Sequence, residues 1–299
     1  MRLAILSNPD SWYRRDLERA AHERGHTVLG LPFSGLAALV AGGSEGVSHP
    51  EWGPLDVDAV LVRTMPPGSL EQVVFRMNLL ARLERRGVQV VNPAKSVECA
   101  VDKFLTTARL QEAGLPVPPT AVCETAESAL AAFEQLGGDV VVKPLFGSEG
   151  RGIVRVSDPD LAVRVFRTLE RLQAVLYLQQ FVPHAGFDVR VLVLDGRVLG
   201  GMRRRNPDDF RTNVSRSAIA EPVELTAEQC DWALRATAAV GARIAGVDLL
   251  YDQRGPGYVI EVNGVPGWQA LKRVTGIDVA AEVITSLEHH AGERAGGAR

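Results

Sequence analysis

The sequence has few cysteines and histidines, and we expect neither type to bind a metal or to form a disulfide framework. Three cysteines are scattered over 299 residues without a CxxC pair. This spacing excludes a zinc cluster of that pattern and a disulfide-stabilised scaffold. We interpret the three cysteines as small core residues. From the six histidines we also expect no metal site.

Long apolar runs and a leader segment are lacking as well. Runs such as Ala59–Val62 and Val140–Val142 are far shorter than the roughly 20 residues that a membrane helix needs. The N-terminus has no basic region followed by a long apolar stretch, so we expect no signal peptide. The sequence therefore predicts a cytoplasmic protein without a membrane partner.

Neither sign of charge dominates, and lysine is scarce. Lys and Arg number 33 against 36 Asp and Glu, for a net charge of −3, which removes the simplest argument for a nucleic-acid partner. Only four basic residues are lysine: Lys95, Lys103, Lys143 and Lys272. Because arginine fills the other basic positions, each lysine is a candidate for a specific chemical role.

The first third of the chain lacks nucleotide-binding fingerprints, although its pattern is α/β. Short apolar strands alternate with helices, which predicts a parallel sheet covered on both faces. No GxGxxG follows the first strand and no GK[ST] occurs, so neither a Rossmann cofactor site nor a Walker loop is expected. We predict a scaffold or substrate-side domain over residues 1–94, with a variable connection at Ala37–Gly53.

Two further units follow. We place a second unit at residues 95–183 and a third at 184–292, with a frayed tail at 293–299. A helix over 101–113 opens the second unit. The third unit contains a helix over 226–245 and two apolar strands, Val247–Tyr251 and Tyr258–Val262.

The two strands of the third unit carry an acidic cluster. Glu261 and Asn263 are two residues apart, so they share one face of a strand. Pairing Tyr251 with Tyr258 across the turn would place Asp248 opposite Glu261, with Cβ atoms about 4.5–5.5 Å apart. Two carboxylates and an amide oxygen are a donor set that suits Mg²⁺. The alternative is a solvated hairpin, which the apolar flanking residues disfavour.

A glycine-rich turn between two apolar strands is a candidate phosphate site. The segment Gly147–Gly152 contains three glycines, which allow close approach of the backbone to an anion. Lys143 precedes it in an apolar strand, where a lysine needs an anionic partner. Lys103 begins a helix after Asp102. The alternative for each lysine is a surface side chain.

A polar loop contains five arginines within fourteen residues, Arg203–Arg216. Guanidinium groups suit phosphates and carboxylates. A nucleic-acid patch is the rival interpretation, and it is disfavoured because Asp208 and Asp209 interrupt the loop and Phe210 is its single aromatic residue.

Taken in order, these features resemble the ATP-grasp superfamily and, within it, the RimK-type α-L-glutamate ligases. The resemblance extends from about Val91 to Ala281. It rests on these motifs: Asp102-Lys103, Val140–Gly152, Gln179–Val182, Asp188–Arg190, Asp209–Asn213, Gly246–Leu250, Glu261–Gly267 and Thr275–Val279. It implies an α/β protein with the ATP-grasp fold, whose ATP-grasp part is α+β. In this fold a Rossmann-like pre-ATP-grasp domain precedes two ATP-grasp subdomains, which clasp ATP.

The resemblance also implies a role for each matching residue. ATP would be held by Lys103, Lys143, Gly147, Ser148, Gly150, Gly152, Gln180, Phe181, Val182, Asp188, Arg190, Arg203, Arg211, Thr212 and Asn213. Arg211 and Asn213 would also face the reacting carboxylate as catalytic residues. Two Mg²⁺ ions, with Mn²⁺ as an alternative, would be held by Asp248, Glu261 and Asn263.

The implied reaction joins L-glutamate to an acceptor carboxylate, either of a small cofactor or of a protein C-terminus, through an acylphosphate. No enzyme nucleophile is needed, in agreement with the lack of a Ser/His or Cys/His arrangement. Another amine donor and a non-catalytic ATP-binding module are the alternatives. The family leads us to expect a homo-oligomer. Two departures stand out: Gln179-Gln180 where Gln-Glu is common, and Trp268 where smaller aliphatic residues are common.

Overall fold

The computed structural model describes residues 1–41, 44–147, 151–206, 209–211 and 218–297. Strands and helices alternate along most of these ranges. The helices are α1 (Trp12–Glu23), α2 (Leu70–Arg85), α3 (Ala94–Val101), α4 (Lys103–Glu112), α5 (Ala126–Gln135), α6 (Pro159–Arg171), α7 (Ala227–Ala239), α8 (Gln269–Thr275) and α9 (Val279–Gly297). No helix within the described ranges combines the length and apolarity that a membrane crossing needs.

The N-terminal unit is a parallel sheet in the order β2-β1-β6-β7, as the alternating pattern predicts. Its strands are β1 (Arg2–Leu6), β2 (Thr27–Leu31), β6 (Ala59–Val62) and β7 (Gln89–Val91). Apolar side chains leave both faces: Ile5 joins the core beneath α1, and Leu6 joins the core beneath α2. A parallel sheet with both faces buried is the expected result for such apolar strands.

The segment predicted as a variable connection forms a separate antiparallel sheet. Its strands are β3 (Ala37–Ala41), β4 (Ser44–His49) and β5 (Gly53–Pro54). Val47 is buried in the core of the N-terminal unit, whereas Leu39 and Val40 are exposed. The Gly- and Ser-rich sequence of this small sheet gives little apolar alternation from which to predict its strands.

The central unit is an antiparallel sheet in the order β10-β9-β11-β8, with α5 and α6 on one face. Its strands are β8 (Thr120–Cys123), β9 (Val140–Lys143), β10 (Val154–Val156) and β11 (Leu176–Gln180). Phe133 of α5 and Phe166 of α6 pack edge to face over this sheet, with ring centroids 6.2 Å apart. The helices leave the opposite face available to form one wall of a cleft.

The C-terminal unit is an antiparallel sheet in the order β14-β13-β12-β15-β16. Its strands are β12 (His184–Leu194), β13 (Arg197–Arg205), β14 (Ile219–Pro222), β15 (Ile244–Asp252) and β16 (Gly257–Asn263). One face packs against α7 through Val189, Val191 and Val247. The other face carries Asp188, Arg190 and Asp248, so polar residues of this face alternate along the strands with apolar residues of the α7 face.

The register of the last hairpin brings Asp248 opposite Glu261, although by a different route from the predicted one. Tyr251 pairs with Gly257 rather than with Tyr258. A β-bulge after Asp248 then skips one residue of β16 and restores the pairing with Glu261.

Three helix boundaries differ from the sequence expectation. The helix expected over 101–113 is α4, which begins at Lys103 because the Asp102 carboxylate caps it by accepting the Leu105 N–H at 3.0 Å. Val101 instead ends α3, a helix that the sequence did not predict. Helix α7 ends at Ala239, before Gly241 with φ +68°. Helix α9 continues to Gly297, into the segment expected to fray, because extending an existing helix costs little.

The side chain of Asn92 joins the N-terminal and C-terminal units. Its Oδ1 accepts the N–H groups of Arg243 (2.8 Å) and Ile244 (2.9 Å). Its Nδ2 donates to the carbonyls of Ile244 (2.7 Å) and Gly264 (2.6 Å). All four bonds are made in the interior, since Asn92 is buried.

Candidate active site

A cleft lies between the central and C-terminal sheets and encloses about 720 Å³, including its open mouth. Its walls come from β9 and β11 on one side and from β15 and β16 on the other. Seven residues selected from the sequence line it: Lys103, Lys143, Gln180, Phe181, Val182, Arg211 and Glu261. The central and C-terminal units thus bring together residues that are up to 158 positions apart in the chain.

Two lysines form the cationic part of the cleft. Lys143, on β9, donates from Nζ to Oε1 of Gln179 at 2.6 Å. Lys103, the first residue of α4, donates from Nζ to the carbonyl of Gly147 at 2.9 Å. Burial lowers the pKa of Lys143 to about 8, partly opposed by the negative charge of Glu261 and reinforced by the positive charge of Lys103. Burial lowers the pKa of Lys103 too. Two adjacent, desolvated amines favour an anionic ligand.

One end of the cleft is aromatic and flat. The Arg155 guanidinium stacks 3.5 Å from the centroid of the Phe181 ring, and Asp139 holds it at 2.6 Å. Phe210 contacts the same ring edge to face, with centroids 6.2 Å apart. The segment Gln180–Val182, a hinge between the central and C-terminal sheets, is fixed by the bond from Phe181 N–H to the Asp139 carbonyl at 2.9 Å. This slot suits a planar heterocycle.

Glu261 lines the cleft, and Asp248 lies buried behind it, where two arginines hold its carboxylate. Arg190 donates to its two oxygens at 2.6 and 2.7 Å, and Arg204 approaches at 2.8 Å. Arg204 also donates to Asp188 at 2.8 Å. Burial raises the pKa of Asp248, but the two guanidinium groups outweigh this effect and hold it below the usual range. These four side chains form one buried charge network behind the cleft.

Glu261 and Asn263 carry oxygens that could hold a divalent cation, whereas both oxygens of Asp248 already accept from Arg190 or Arg204. Glu261 lies opposite Asp248 in the register and lines the cleft. The Asn263 Oδ1 accepts the Val265 N–H at 3.0 Å, which leaves one of its lone pairs for a ligand. Hard oxygen donors of this kind suit Mg²⁺, which retains further water or substrate oxygens.

Arg211 is oriented by a neighbour in its own loop. Asp209 accepts its Nε at 2.9 Å and its backbone N–H at 2.9 Å. The carboxylate raises the pKa of Arg211, so the guanidinium stays charged at the cleft.

Other selected residues are placed away from the cleft wall. Asp188 and Arg190 lie behind the wall, where Asp188 pairs with Arg204 and Arg190 pairs with Asp248. Arg203 is opposite Val189 in the register, so it leaves the sheet on the α7 side, where its guanidinium lies 4.7 Å from the Phe187 ring.

The glycine-rich turn is described only at its two ends. Gly147 has φ +149° and Gly152 has φ +74°. A Cβ on Gly152 would lie 2.9 Å from Pro144 Cγ, so this position requires glycine. Ser148, Gly150, Thr212 and Asn213 lie outside the described residues.

Several residues that line the cleft were not selected from the sequence, among them Gln179, His184 and Phe210. Arg204, in the charge network behind the cleft, was not selected either. Phe210 had a usable signal as the single aromatic residue of its loop. Arg204 had none, since it is one of five arginines in a short segment.

One histidine pair has the spacing of a zinc-binding motif, although no metal site was expected from the histidines. Residues His22 to His26 do match the HExxH pattern. Helix α1 ends at Glu23, however, and Gly25 has φ +74°, so His26 does not follow His22 on a helix face. His26 instead bonds the N-terminal amine (3.2 Å) and Glu288 (2.8 Å). Over the described ranges, no group of three His, Cys, Asp or Glu could hold a metal.

Comparison with known proteins accounts for nearly the whole chain. A model of the RimK pre-ATP-grasp domain matches residues 1–97, and a model of the RimK-like ATP-grasp domain matches residues 100–287.

Two named relatives are tetrahydromethanopterin:alpha-L-glutamate ligases. The protein of Methanosarcina acetivorans is 31% identical over 95% of this chain and 97% of its own. That of Methanococcus maripaludis is 34% identical over 98% of this chain and 100% of its own. Among solved structures, the ATP-grasp ligase PsnB with minimal precursor, Mg and ADP has a TM-score of 0.74 at 21% identity, over 96% of each chain.

Proposed function

The chain belongs to the RimK-like ATP-grasp family, and we propose that it is an ATP-dependent ligase that adds L-glutamate to an acceptor carboxylate. The observation that carries the proposal is the convergence of Lys103, Lys143 and Glu261 in one cleft, beside the aromatic slot at Phe181. The named relatives are glutamate ligases, which supports glutamate as the donor.

In this proposal the nucleotide lies along the cleft. Adenine occupies the slot formed by Phe181, Val182 and Phe210, where apolar contact and the fixed hinge backbone orient the ring. The phosphates lie toward Lys143 and Lys103. Burial leaves these amines poorly solvated, so pairing them with phosphate oxygens recovers interaction energy that water does not supply.

A divalent cation at Glu261, Asn263 and Asp248 would neutralise phosphate charge and align the reacting oxygens. The chain prepares this position in advance, because Arg190 and Arg204 fix the Asp248 carboxylate. A carboxylate that is already oriented needs no rearrangement when charge arrives.

The proposed chemistry requires positioning rather than an enzyme nucleophile. An acceptor carboxylate oxygen attacks the γ-phosphorus, and the bond from that phosphorus to the ADP oxygen breaks. The amine of glutamate then attacks the acyl carbon, loses a proton and displaces phosphate. Arg211 lines the cleft, where it would stabilise negative charge on the transferring group.

We propose a small anionic coenzyme as the acceptor. The two relatives described above are named for tetrahydromethanopterin, a pterin. A protein C-terminus is the second class of acceptor that the chemistry allows.

The test is to incubate the purified protein with ATP, Mg²⁺ and L-glutamate, together with small-molecule or protein fractions of its host. Mass spectrometry follows glutamyl addition, and a coupled assay follows ADP. We expect ADP release that requires both glutamate and the small-molecule fraction. Release of ADP with another amino acid, and none with glutamate, would contradict the donor assignment.

A further inference from the structure

A buried arginine at the end of the N-terminal sheet has no anionic partner among the residues that the structure describes. Arg63 directly follows β6 and is 8% exposed. Its Nη2 donates to the Pro266 carbonyl at 2.6 Å. Its Nε is buried and has no hydrogen-bond partner among the described residues. Burial lowers the pKa of Arg63 to about 10, so the group is still a cation at neutral pH.

A second buried polar atom without a partner lies next to it. Ser7 directly follows β1, is 2% exposed, and its Oγ has no hydrogen-bond partner within the described ranges. Strands β1 and β6 are paired in parallel up to Leu6 and Val62, and the Arg63 N–H donates to the Leu6 carbonyl at 2.8 Å. Continuing this register by one residue places Ser7 beside Arg63, on the same face of the sheet.

Their position in the topology is one at which α/β sheets bind ligands. From β1 the chain continues to β2, toward one edge of the sheet. From β6 it continues to β7, toward the opposite edge. The carboxyl ends of β1 and β6 therefore flank the point where the strand order reverses. Open parallel sheets bind ligands in the crevice at such a point.

Aromatic walls hold the guanidinium in place. The Trp268 ring lies 4.3 Å from Arg63 Cζ, and the Tyr13 ring lies 5.2 Å from it. Trp268 is itself fixed, because its Nε1 donates to Asp16 at 3.0 Å. Pro266, which accepts from Arg63, lies three residues after Asn263 in the chain.

We propose that Arg63 and Ser7 form a carboxylate-binding subsite, which holds a negatively charged end of a substrate between the N-terminal sheet and the loop at Pro266. A carboxylate would accept from the guanidinium and from the Ser7 hydroxyl, and so would supply the partners that both atoms lack. The identification of the ligand as a substrate rests on the proposed function. The subsite itself is tested by binding alone.

The test is isothermal titration calorimetry of the full chain with two carboxylate probes and a neutral one. The probes are L-glutamate, glutarate, which lacks the amine, and glutaramide, which lacks the charge. The variants are Arg63→Met, Arg63→Lys and Ser7→Ala. Binding of ADP with Mg²⁺ is measured on each variant, because it reports the separate nucleotide cleft.

We expect at least one carboxylate to bind the wild-type chain and glutaramide to bind far more weakly. Arg63→Met should lose about tenfold or more in carboxylate affinity, as expected for a charge-assisted hydrogen bond, with ADP affinity unchanged. Arg63→Lys and Ser7→Ala should each give a smaller loss. Binding of L-glutamate assigns the subsite to the donor, and binding of glutarate alone assigns it to the acceptor.

Two results would overturn the subsite: equal carboxylate affinity in wild type and Arg63→Met, or no saturable binding of either carboxylate by wild type. A purely structural Arg63 is distinguished by melting temperature. Because Arg63→Met removes a buried charge that has no counter-ion within the described ranges, the ligand-free variant should melt at or above the wild-type temperature. A marked decrease would assign Arg63 a structural role instead. A failure of ligase activity alone would leave these binding results standing.

Discussion

Lys143 donates to Gln179 at 2.6 Å, and this hydrogen bond fixes the more deeply buried of the two amines in the cleft. Gln179 is fixed in turn, since its Nε2 donates to Thr120 Oγ1 at 3.0 Å. The residue is one position before the hinge glutamine that the sequence selects. Its side chain sets the direction in which Lys143 points.

Replacing Gln179 should therefore change nucleotide binding without removing a catalytic group. In Gln179→Leu the amine loses its acceptor, and we expect KM for ATP to rise roughly fivefold to tenfold, with a smaller change in kcat. Steady-state ADP release measures both. Gln111→Leu, on the exposed side of α4, is the matched control. An unchanged KM in Gln179→Leu would show that Lys143 is positioned by other contacts.

The cleft predicts a fall in activity on the alkaline side. The groups that act on Lys143 are Lys103, Glu261 and Asp248, and the net result with burial is a pKa of about 8. Below that pH the amine is charged and binds phosphate, and above it the charge is lost. The kcat/KM for ATP, which reports the free enzyme, should therefore fall as the pH rises through about 8.

Lys143→Arg is the variant that checks this assignment, because an arginine keeps its charge throughout the range. In this variant the kcat/KM for ATP should no longer fall near pH 8, whatever the absolute activity of the variant. A limb that stays in place in Lys143→Arg would assign the titration to another group.

The buried charge network predicts that replacing Arg204 lowers stability far more than replacing its neighbour Arg205. In Arg204→Met, Asp188 and Asp248 remain buried and lose a shared partner, which should lower the free energy of unfolding by about 3–5 kcal/mol. Arg205→Met removes only an exposed pair with Glu221 and should cost about 0–1 kcal/mol. Urea denaturation of both variants measures the difference. Equal losses would mean that Arg204 is not essential to the network.

Glu261 should be essential for turnover and dispensable for folding. Its carboxylate lines the cleft rather than the core, so Glu261→Gln should keep the wild-type melting temperature. ADP release should fall by about 10²–10³. Glu127→Gln, at an exposed position of α5, should retain full activity. Near-normal turnover in Glu261→Gln would remove the acidic site from the mechanism.

Sequence patterns predicted the parts of the site that depend on local periodicity. Glu261 and Asn263 share a face because they are two residues apart, and Asp248 follows from the hairpin. The scarcity of lysine selected Lys103 and Lys143. The parallel N-terminal sheet follows from alternating strands and helices.

The remaining site residues depend on tertiary contacts. Arg203 and Arg204 are adjacent and identical in type, yet they leave β13 on opposite faces, so only the register of the folded sheet distinguishes them. Arg63 has no unusual sequence context, and its burial against Trp268 joins residues 205 positions apart. No local pattern carries such information.

The bulge after Asp248 has a consequence for evolution of the hairpin. Because the extra residue of β16 is absorbed between the turn and the acidic pair, the length of the turn is uncoupled from the pairing of Asp248 with Glu261. A homologue could gain or lose one turn residue and, by shifting the bulge, keep both carboxylates on the same face. Alignments of relatives should therefore place gaps between these two acids, while the acids themselves stay matched.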